Sequence, residues 1–293
     1  MATLVNVDGK LGSDEDRLLS PLDQGFLFGA SVYETVRTYE GRPFLLERHL
    51  ERLRESAAAL DITLDVTNDE LAARIEETLV AAGNAESSIR IVVSAGVGAI
   101  DYRAGSASRP TVVIIVRPLP EYPDSLYREG ARAVVVPMMR AAPGGLDPRI
   151  KSSNLLTNLR ALREAHRHKA YEAIMLNPEG EVAEGSMSNV FLVAKGAVRT
   201  PPPSAGILEG ITRELLIDVA REKGYTVEER GFKPDELLRA DEVFITASAR
   251  QIVPIVQVDR TRVGNGKPGP VTRALIAAYK EKVRELTREK EEG

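Results

Sequence analysis

Asp147-Pro148-Arg149-Ile150-Lys151-Ser152-Ser153-Asn154-Leu155-Leu156 is the stretch on which the reading of this chain turns. It follows a strand-like run over residues 131–137 and opens a helix-like one over residues 154–166. The chain holds 10 Lys and 29 Arg, and no lysine occurs between Lys10 and Lys151, although arginine is frequent there. Arginine keeps its proton near neutral pH. Lysine can lose it once desolvated or set beside another cation, and is then a nucleophilic amine able to form a Schiff base. Two readings of Lys151 are open on this segment alone: a solvated cation at a helix start, or a reactive amine.

Outward from Lys151, the chain divides at Pro118-Leu119-Pro120-Glu121-Tyr122-Pro123, whose three prolines in six residues mark a linker. The expected domains are residues 1–118, a linker over 119–127, and residues 128–293. Before the linker, residues 4–7 with Asp8-Gly9 read as a strand entering a hairpin turn, and residues 26–39 as a loop followed by a strand. Leu46, Leu50, Leu53, Ala57 and Leu60 recur at three and four and predict an amphipathic helix. Asn68-Asp69 is expected to cap a second helix over residues 70–82. Residues 89–94 and 111–117 are β-branched strands. After the linker come strands over 131–136, 173–176, 181–183, 189–194, 242–246 and 255–258, and helices over 154–166, 211–223 and 271–286. The final Arg-Glu-Lys-Glu-Glu-Gly is expected to be a solvated, frayed end.

With 293 residues, the chain is long enough for two cores, and 43% hydrophobic with 28% charged residues is ordinary for a globular protein. A net charge of -4 and a pI of 5.7 give no electrostatic footprint for nucleic acid. There is no cysteine, which excludes disulfides, thiolate metal sites and cysteine nucleophiles. His49, His166 and His168 are the only histidines, and the last two point to different faces of one helix, so no metal centre is expected. No apolar run approaches the roughly 20 residues of a membrane span, and no secretory signal is visible. The expectation is a soluble, cytoplasmic protein with no membrane partner.

Three segments after the linker acquire a shared meaning if Lys151 is reactive. In Leu208-Glu209-Gly210-Ile211-Thr212-Arg213-Glu214, a glycine leads into a helix whose first N–H groups and the Thr212 hydroxyl suit a phosphate; the plain alternative is an ordinary helix cap. In Thr246-Ala247-Ser248-Ala249, small residues at a strand end leave room for a phosphate or carboxylate, or simply make a tight turn. Glu184 ends a short strand among small polar residues, where a carboxylate needs a partner such as a protonated ring nitrogen, or a surface arginine. Before the linker, Arg52 lies on the polar side of the amphipathic helix, as an oxyanion clamp or a solvated cation. Ser94-Ala95-Gly96-Val97-Gly98 lacks both a P-loop lysine and GxGxxG spacing and is discounted.

Taken in this order, the segments resemble the fold type IV pyridoxal-phosphate enzymes: branched-chain aminotransferases, D-amino acid aminotransferases, (R)-selective amine transaminases and aminodeoxychorismate lyases. The match runs from Asp23-Gln24-Gly25-Phe26-Leu27-Phe28-Gly29 to Gly269-Pro270-Val271-Thr272. Its most specific block joins Tyr171-Glu172-Ala173-Ile174 to Val182-Ala183-Glu184-Gly185-Ser186-Met187-Ser188-Asn189-Val190-Phe191; Gly210-Ile211-Thr212-Arg213 and Ala240-Asp241-Glu242-Val243-Phe244 follow at family-like distances. The resemblance implies an α/β (α+β) fold of two domains, an N-terminal α/β sandwich and a C-terminal pseudo-barrel with flanking helices. It implies that Lys151 bonds the cofactor's aldehyde, that Glu184 faces the pyridine nitrogen, and that Arg52, Thr212, Ser248 and the N–H of Ile211 hold the phosphate. Phe28 and Tyr33 match positions lining the substrate pocket, with Ser248 and Ala249 also facing substrate and Arg103 a candidate for its carboxylate. A homodimer or higher homo-oligomer is implied as well.

The implied activity is ping-pong amino transfer from a branched-chain L-amino acid to 2-oxoglutarate. D-amino acid enzymes usually carry an arginine just before the glycine where this chain has Ala95, and a histidine soon after that is missing here. Leu156 falls where branched-chain enzymes often carry a tyrosine, and the aromatic-x-Arg strand pattern common among them is not clear. The alternatives are an aminodeoxychorismate lyase, a D-amino acid or (R)-amine transaminase, and a non-enzymatic protein that binds a phosphorylated metabolite.

Overall fold

Period-two alternation builds one sheet of this protein and a longer run of buried strands builds another. The computed structural model describes residues 2–16, 18–100, 109–139 and 145–292. It divides into two units, Met1–Pro120 with Ile150–Asn154, and Glu121–Arg149 with Leu155–Gly293.

The first unit contains β1 (Leu4–Val7), β2 (Lys10–Ser13), α1 (Gln24–Phe28), β3 (Ser31–Tyr39), β4 (Arg42–Pro43), α2 (Leu46–Ala58), α3 (Asn68–Ala82), β5 (Ser87–Ser94) and β6 (Thr111–Pro118). Its sheet has the order β2-β1-β6-β5-β3-β4. Val32 and Val36 of β3, Ile89, Ile91 and Val93 of β5, and Val112, Ile114 and Val116 of β6 point to one face, where Leu50 and Leu53 of α2 and Leu71 and Ile75 of α3 cover them. Each fully buried leucine there contributes about 1.5–3 kcal/mol. The opposite face carries Tyr33, Val92 and Val113 in one cross-strand row, and Arg90 and Ile115 in the next. The free edge of β3 is completed by the segment that holds Lys151: Tyr33 N–H donates to the Lys151 carbonyl, Ser153 N–H donates to the Ser31 carbonyl, and Val32 bridges Ser152.

The second unit contains α4 (Asp124–Arg128), β7 (Ala131–Met139), α5 (Leu156–Arg167), β8 (Glu172–Leu176), β9 (Val182–Gly185), β10 (Asn189–Ala194), β11 (Ala197–Thr200), α6 (Ile211–Glu222), β12 (Val227–Glu229), α7 (Pro234–Leu238), β13 (Glu242–Ala247), β14 (Gln251–Val258), β15 (Thr261–Arg262) and α8 (Pro270–Glu292). One mixed sheet takes the order β12-β11-β10-β13-β14-β7-β8-β9, with β15 on β14. β8, β10 and β13 are buried on both faces, so they read as continuous apolar runs rather than alternations.

Several elements differ from the sequence expectation, each for a local reason. Residues 24–28 form a helical turn rather than a loop, because the Asp23 side chain accepts from Gly25 N–H and Gly29 closes the turn at φ 70. Thr67, not Asn68-Asp69, caps α3: its hydroxyl accepts from Glu70 N–H while the Glu70 carboxylate accepts from Thr67 N–H. α5 starts at Leu156 rather than at Asn154, whose side chain instead donates to the Gly29 carbonyl at 2.9 Å. α8 continues through Glu292 where a frayed end was expected, with Lys282–Glu285 pairing along its last turns. α4 covers residues 124–127 of the expected linker and Arg128 after it.

Candidate active site

In the first unit, one face of α2 presents His49, Arg52 and Ser56 at helical spacing toward β3 and the Lys151 segment. The Ser56 hydroxyl accepts the Lys151 N–H at 3.1 Å. Arg52 is not a solvated cation on a polar face. It grips Glu34 with two parallel bonds, Nε to Oε1 at 2.7 Å and Nη2 to Oε2 at 2.9 Å, and His49 Nδ1 lies 2.7 Å from Oε2 of the same carboxylate. Glu34 is completely buried. Burial alone would raise its carboxyl, but the Arg52 guanidinium, helped by His49, more than offsets this and holds it far below the usual carboxylate range. Burial pushes the His49 imidazole down, and the neighbouring Arg52 and Lys151 cations act in the same direction against the pull of Glu34. We therefore read the group as a neutral His49 donating to an ionised Glu34 that is paired with Arg52.

This network makes acid stability testable. A carboxyl depressed in the fold contributes stability that is present above its unfolded value, near 4.5, and is lost as the pH falls toward its folded value. Glu34→Gln removes that dependence and leaves the Arg52 cation without its counter-ion. It is expected to cost about 3–5 kcal/mol at neutral pH and to flatten the loss of stability below pH ~4 in urea unfolding curves. An unchanged acid limb would refute the assignment.

Lys151 Nζ sits 4.6 Å from the centroid of the Tyr33 ring, and the Arg90 guanidinium sits 3.9 Å from that same centroid. Burial lowers Arg90 from the ordinary arginine value. Among the described residues, Arg90 has no carboxylate partner. Phe28 ends α1 and is 37% exposed. Leu156 is 69% exposed at the first position of α5. Arg103 lies outside the described residues. The sequence reading missed Glu34, His49 and Arg90.

In the second unit, Glu184 is the next-to-last residue of β9 and is 5% exposed; its Oε2 accepts the Leu208 N–H at 2.9 Å, with Asn189 Nδ2 at 3.4 Å. Asn189 also donates to the Leu208 carbonyl at 2.8 Å, so one side chain ties the carboxylate to the approach to α6. Gly210 is the N-cap of α6, and no side chain caps that helix end. A Cβ at Gly210 would collide with Asn189 Oδ1, which is why a capping serine or aspartate does not fit. Ile211 and Thr212 follow in the first turn, both buried. Asn189 pairs across the sheet with Thr246, whose buried hydroxyl has no hydrogen-bond partner among the described residues. Two residues on, Ser248 and Ala249 occupy the turn between β13 and β14. Asn189 thus ties Glu184 to the approach to α6, and Ser248 follows two residues after its strand partner Thr246; Lys151, Tyr33 and Arg52 lie around β3.

Within the second unit, an uncapped helix start with a hydroxyl in its first turn suits a phosphate and a buried carboxylate suits a ring nitrogen; within the first unit, an amine suits an aldehyde. The profile of the family described as amino-transferase class IV matches residues 31–258. A putative branched-chain-amino-acid aminotransferase of Methanocaldococcus jannaschii is 35% identical over 277 residues, 94% of this chain and 95% of that one. An aminodeoxychorismate lyase of Bacillus subtilis is 34% identical over 291 residues, 98% of this chain and 97% of that one. Among solved structures, a branched-chain amino acid aminotransferase from Thermobaculum terrenum in its PLP-bound form superposes with a TM-score of 0.88 at 30% identity, covering 97% of this chain and 95% of that one.

Proposed function

Given that this chain belongs to the class IV aminotransferases, with pyridoxal phosphate as cofactor, we propose that it moves the amino group of a branched-chain L-amino acid to 2-oxoglutarate by a ping-pong course. The observation that carries this reading is the Tyr33 ring with Lys151 at 4.6 Å and Arg90 at 3.9 Å from its centroid. An amine and a half-buried guanidinium without a carboxylate partner among the described residues suit an amino acid, whose carboxylate Arg90 can take in a bidentate fork. Val92, Val113 and Ile115 share that face of the sheet and are half-buried, which favours an apolar substrate side chain beside the charge.

When bound, pyridoxal phosphate supplies an aldehyde and an electron-withdrawing ring that weakens the substrate Cα–H bond. Thr212, Ser248 and the Ile211 N–H would hold the phosphate, and Arg52, kept in place by Glu34, is the cation that the family resemblance assigns to it. Glu184, whose Oε2 accepts the Leu208 N–H, would keep a proton on the ring nitrogen. Lys151 Nζ would hold the cofactor at its aldehyde carbon and would serve as the base that takes the proton from the substrate Cα. Tyr33 supplies a wall against which that amine is oriented. The same residues, run backward on the second oxo acid, complete the exchange.

Leucine, isoleucine or valine mixed with the yellow protein and 2-oxoglutarate is expected to yield glutamate. No glutamate from any of the three would overturn the substrate assignment, and a half-reaction panel of L- and D-amino acids and (R)-amines, read from the cofactor spectrum, would then identify the donor. The likeness to an aminodeoxychorismate lyase supports a second reading, separated by its product: pyruvate released from aminodeoxychorismate.

A further inference from the structure

Arginine on a tight turn ordinarily extends into water. Arg250 follows Ser248 and Ala249 in the turn between β13 and β14, yet its side chain is only 15% exposed and pairs with a Glu172 side chain that is 0% exposed. Arg250 Nη2 donates to Glu172 Oε2 at 3.2 Å and to the Met187 carbonyl at 3.1 Å, and its guanidinium lies 5.4 Å from the Tyr171 ring centroid. Glu172 is itself fixed by the N–H groups of Ala173 and Ser186 at 3.0 and 3.1 Å, and by the hydroxyls of Ser186 and Ser188. The Arg250 carbonyl accepts from Tyr127 Oη at 3.2 Å. The next residue, Gln251, has φ 58, a left-handed backbone that a non-glycine residue holds only under constraint.

A buried ion pair is weak evidence for stability, since an apolar pair of the same volume often serves as well; what it can supply is a unique geometry. Here the geometry it sets is that of a three-residue turn. We infer that Arg250 is a positioning residue: anchored on Glu172 and on the Met187 carbonyl, it fixes the turn so that the Ser248 hydroxyl meets the cofactor's phosphate. This rests on the proposed assignment of Ser248 to that phosphate. Arg250 touches neither cofactor nor substrate in this scheme and acts only through the turn.

The test is a double-mutant cycle on the full-length protein, resolved and reloaded, with dissociation constants measured for pyridoxal phosphate and for pyridoxal, which lacks the phosphate. Arg250→Met and Ser248→Ala are each expected to weaken pyridoxal phosphate about tenfold, the loss of one hydrogen bond to a charged group. The double variant is expected to weaken it no further, and pyridoxal affinity is expected to stay the same in all three. Additive losses, or an equal loss for pyridoxal, would overturn the inference, because a merely structural role would loosen the whole site. If Ser248→Ala weakens binding and Arg250→Met does not, the positioning role alone falls. If Ser248→Ala changes nothing, the phosphate assignment fails and the inference with it. Should Arg250→Met not fold, Arg250→Lys, which keeps the charge and loses the planar fork, is read in the same cycle with the same criteria.

Discussion

Lys151→Ala is expected to lower turnover by about three orders of magnitude or more, because one substitution removes both the nucleophile and the proton carrier. The variant should still fold. The bonds that seat this segment are made by the main chain, from Tyr33 N–H to the Lys151 carbonyl and from Lys151 N–H to the Ser56 hydroxyl, and both survive the change. The side chain contributes its contact with the Tyr33 ring, about 0.5–1 kcal/mol at a partly exposed position. Borohydride reduction of the yellow protein, followed by peptide mass spectrometry, is expected to leave the label on Lys151 and to leave no label on the alanine variant. Lys151→Arg should be as inactive, since a guanidinium does not give up its proton near neutral pH. Label on another side chain would overturn the assignment.

Glu184→Gln should reduce the rate of the first half-reaction about 100-fold, with cofactor affinity nearly unchanged, because an amide loses the charge but keeps an oxygen for the Leu208 N–H. The phosphate contacts proposed for Thr212 and Ser248 do not involve this carboxylate, so binding and turnover should separate. Stopped-flow spectra of the variant with leucine measure the rate, and an absorbance titration measures the affinity. A variant that loses the cofactor instead would make Glu184 a binding residue and would remove its role in holding the ring-nitrogen proton.

The glycine-led start of α6 was legible as a local signal, and Lys151 and Glu184 stood out as candidates in the same way, each a residue type out of place in its own segment. Glu34 was legible in principle. It sits between Val32 and Val36 in a strand of period two, so it must face the apolar side of the sheet, where a carboxylate requires a cation. His49 and Arg52, three apart on the facing helix, are the groups that meet it. Arg90 could be found by the same parity, since it shares its strand face with Val92, which pairs with Tyr33. The helical turn at residues 24–28, read as a loop, could be found from Asp23 ahead of it and Gly29 after it. Other features were not recoverable from local pattern. β12 spans only Val227–Glu229 and is fixed by parallel pairing with β11, a long-range contact. The docking of residues 151–153 on the edge of β3 rests on backbone bonds between segments more than a hundred residues apart, and no side-chain pattern encodes those.

That last attachment has a consequence for biosynthesis. As the polypeptide leaves the ribosome, its first 120 residues emerge with the edge of β3 still incomplete, since the Tyr33 amide and the Ser31 carbonyl bond to residues that have yet to be translated. The nascent sheet stays unsealed along that border until the chain has grown past Asn154, and the segment that closes it is the one that carries Lys151.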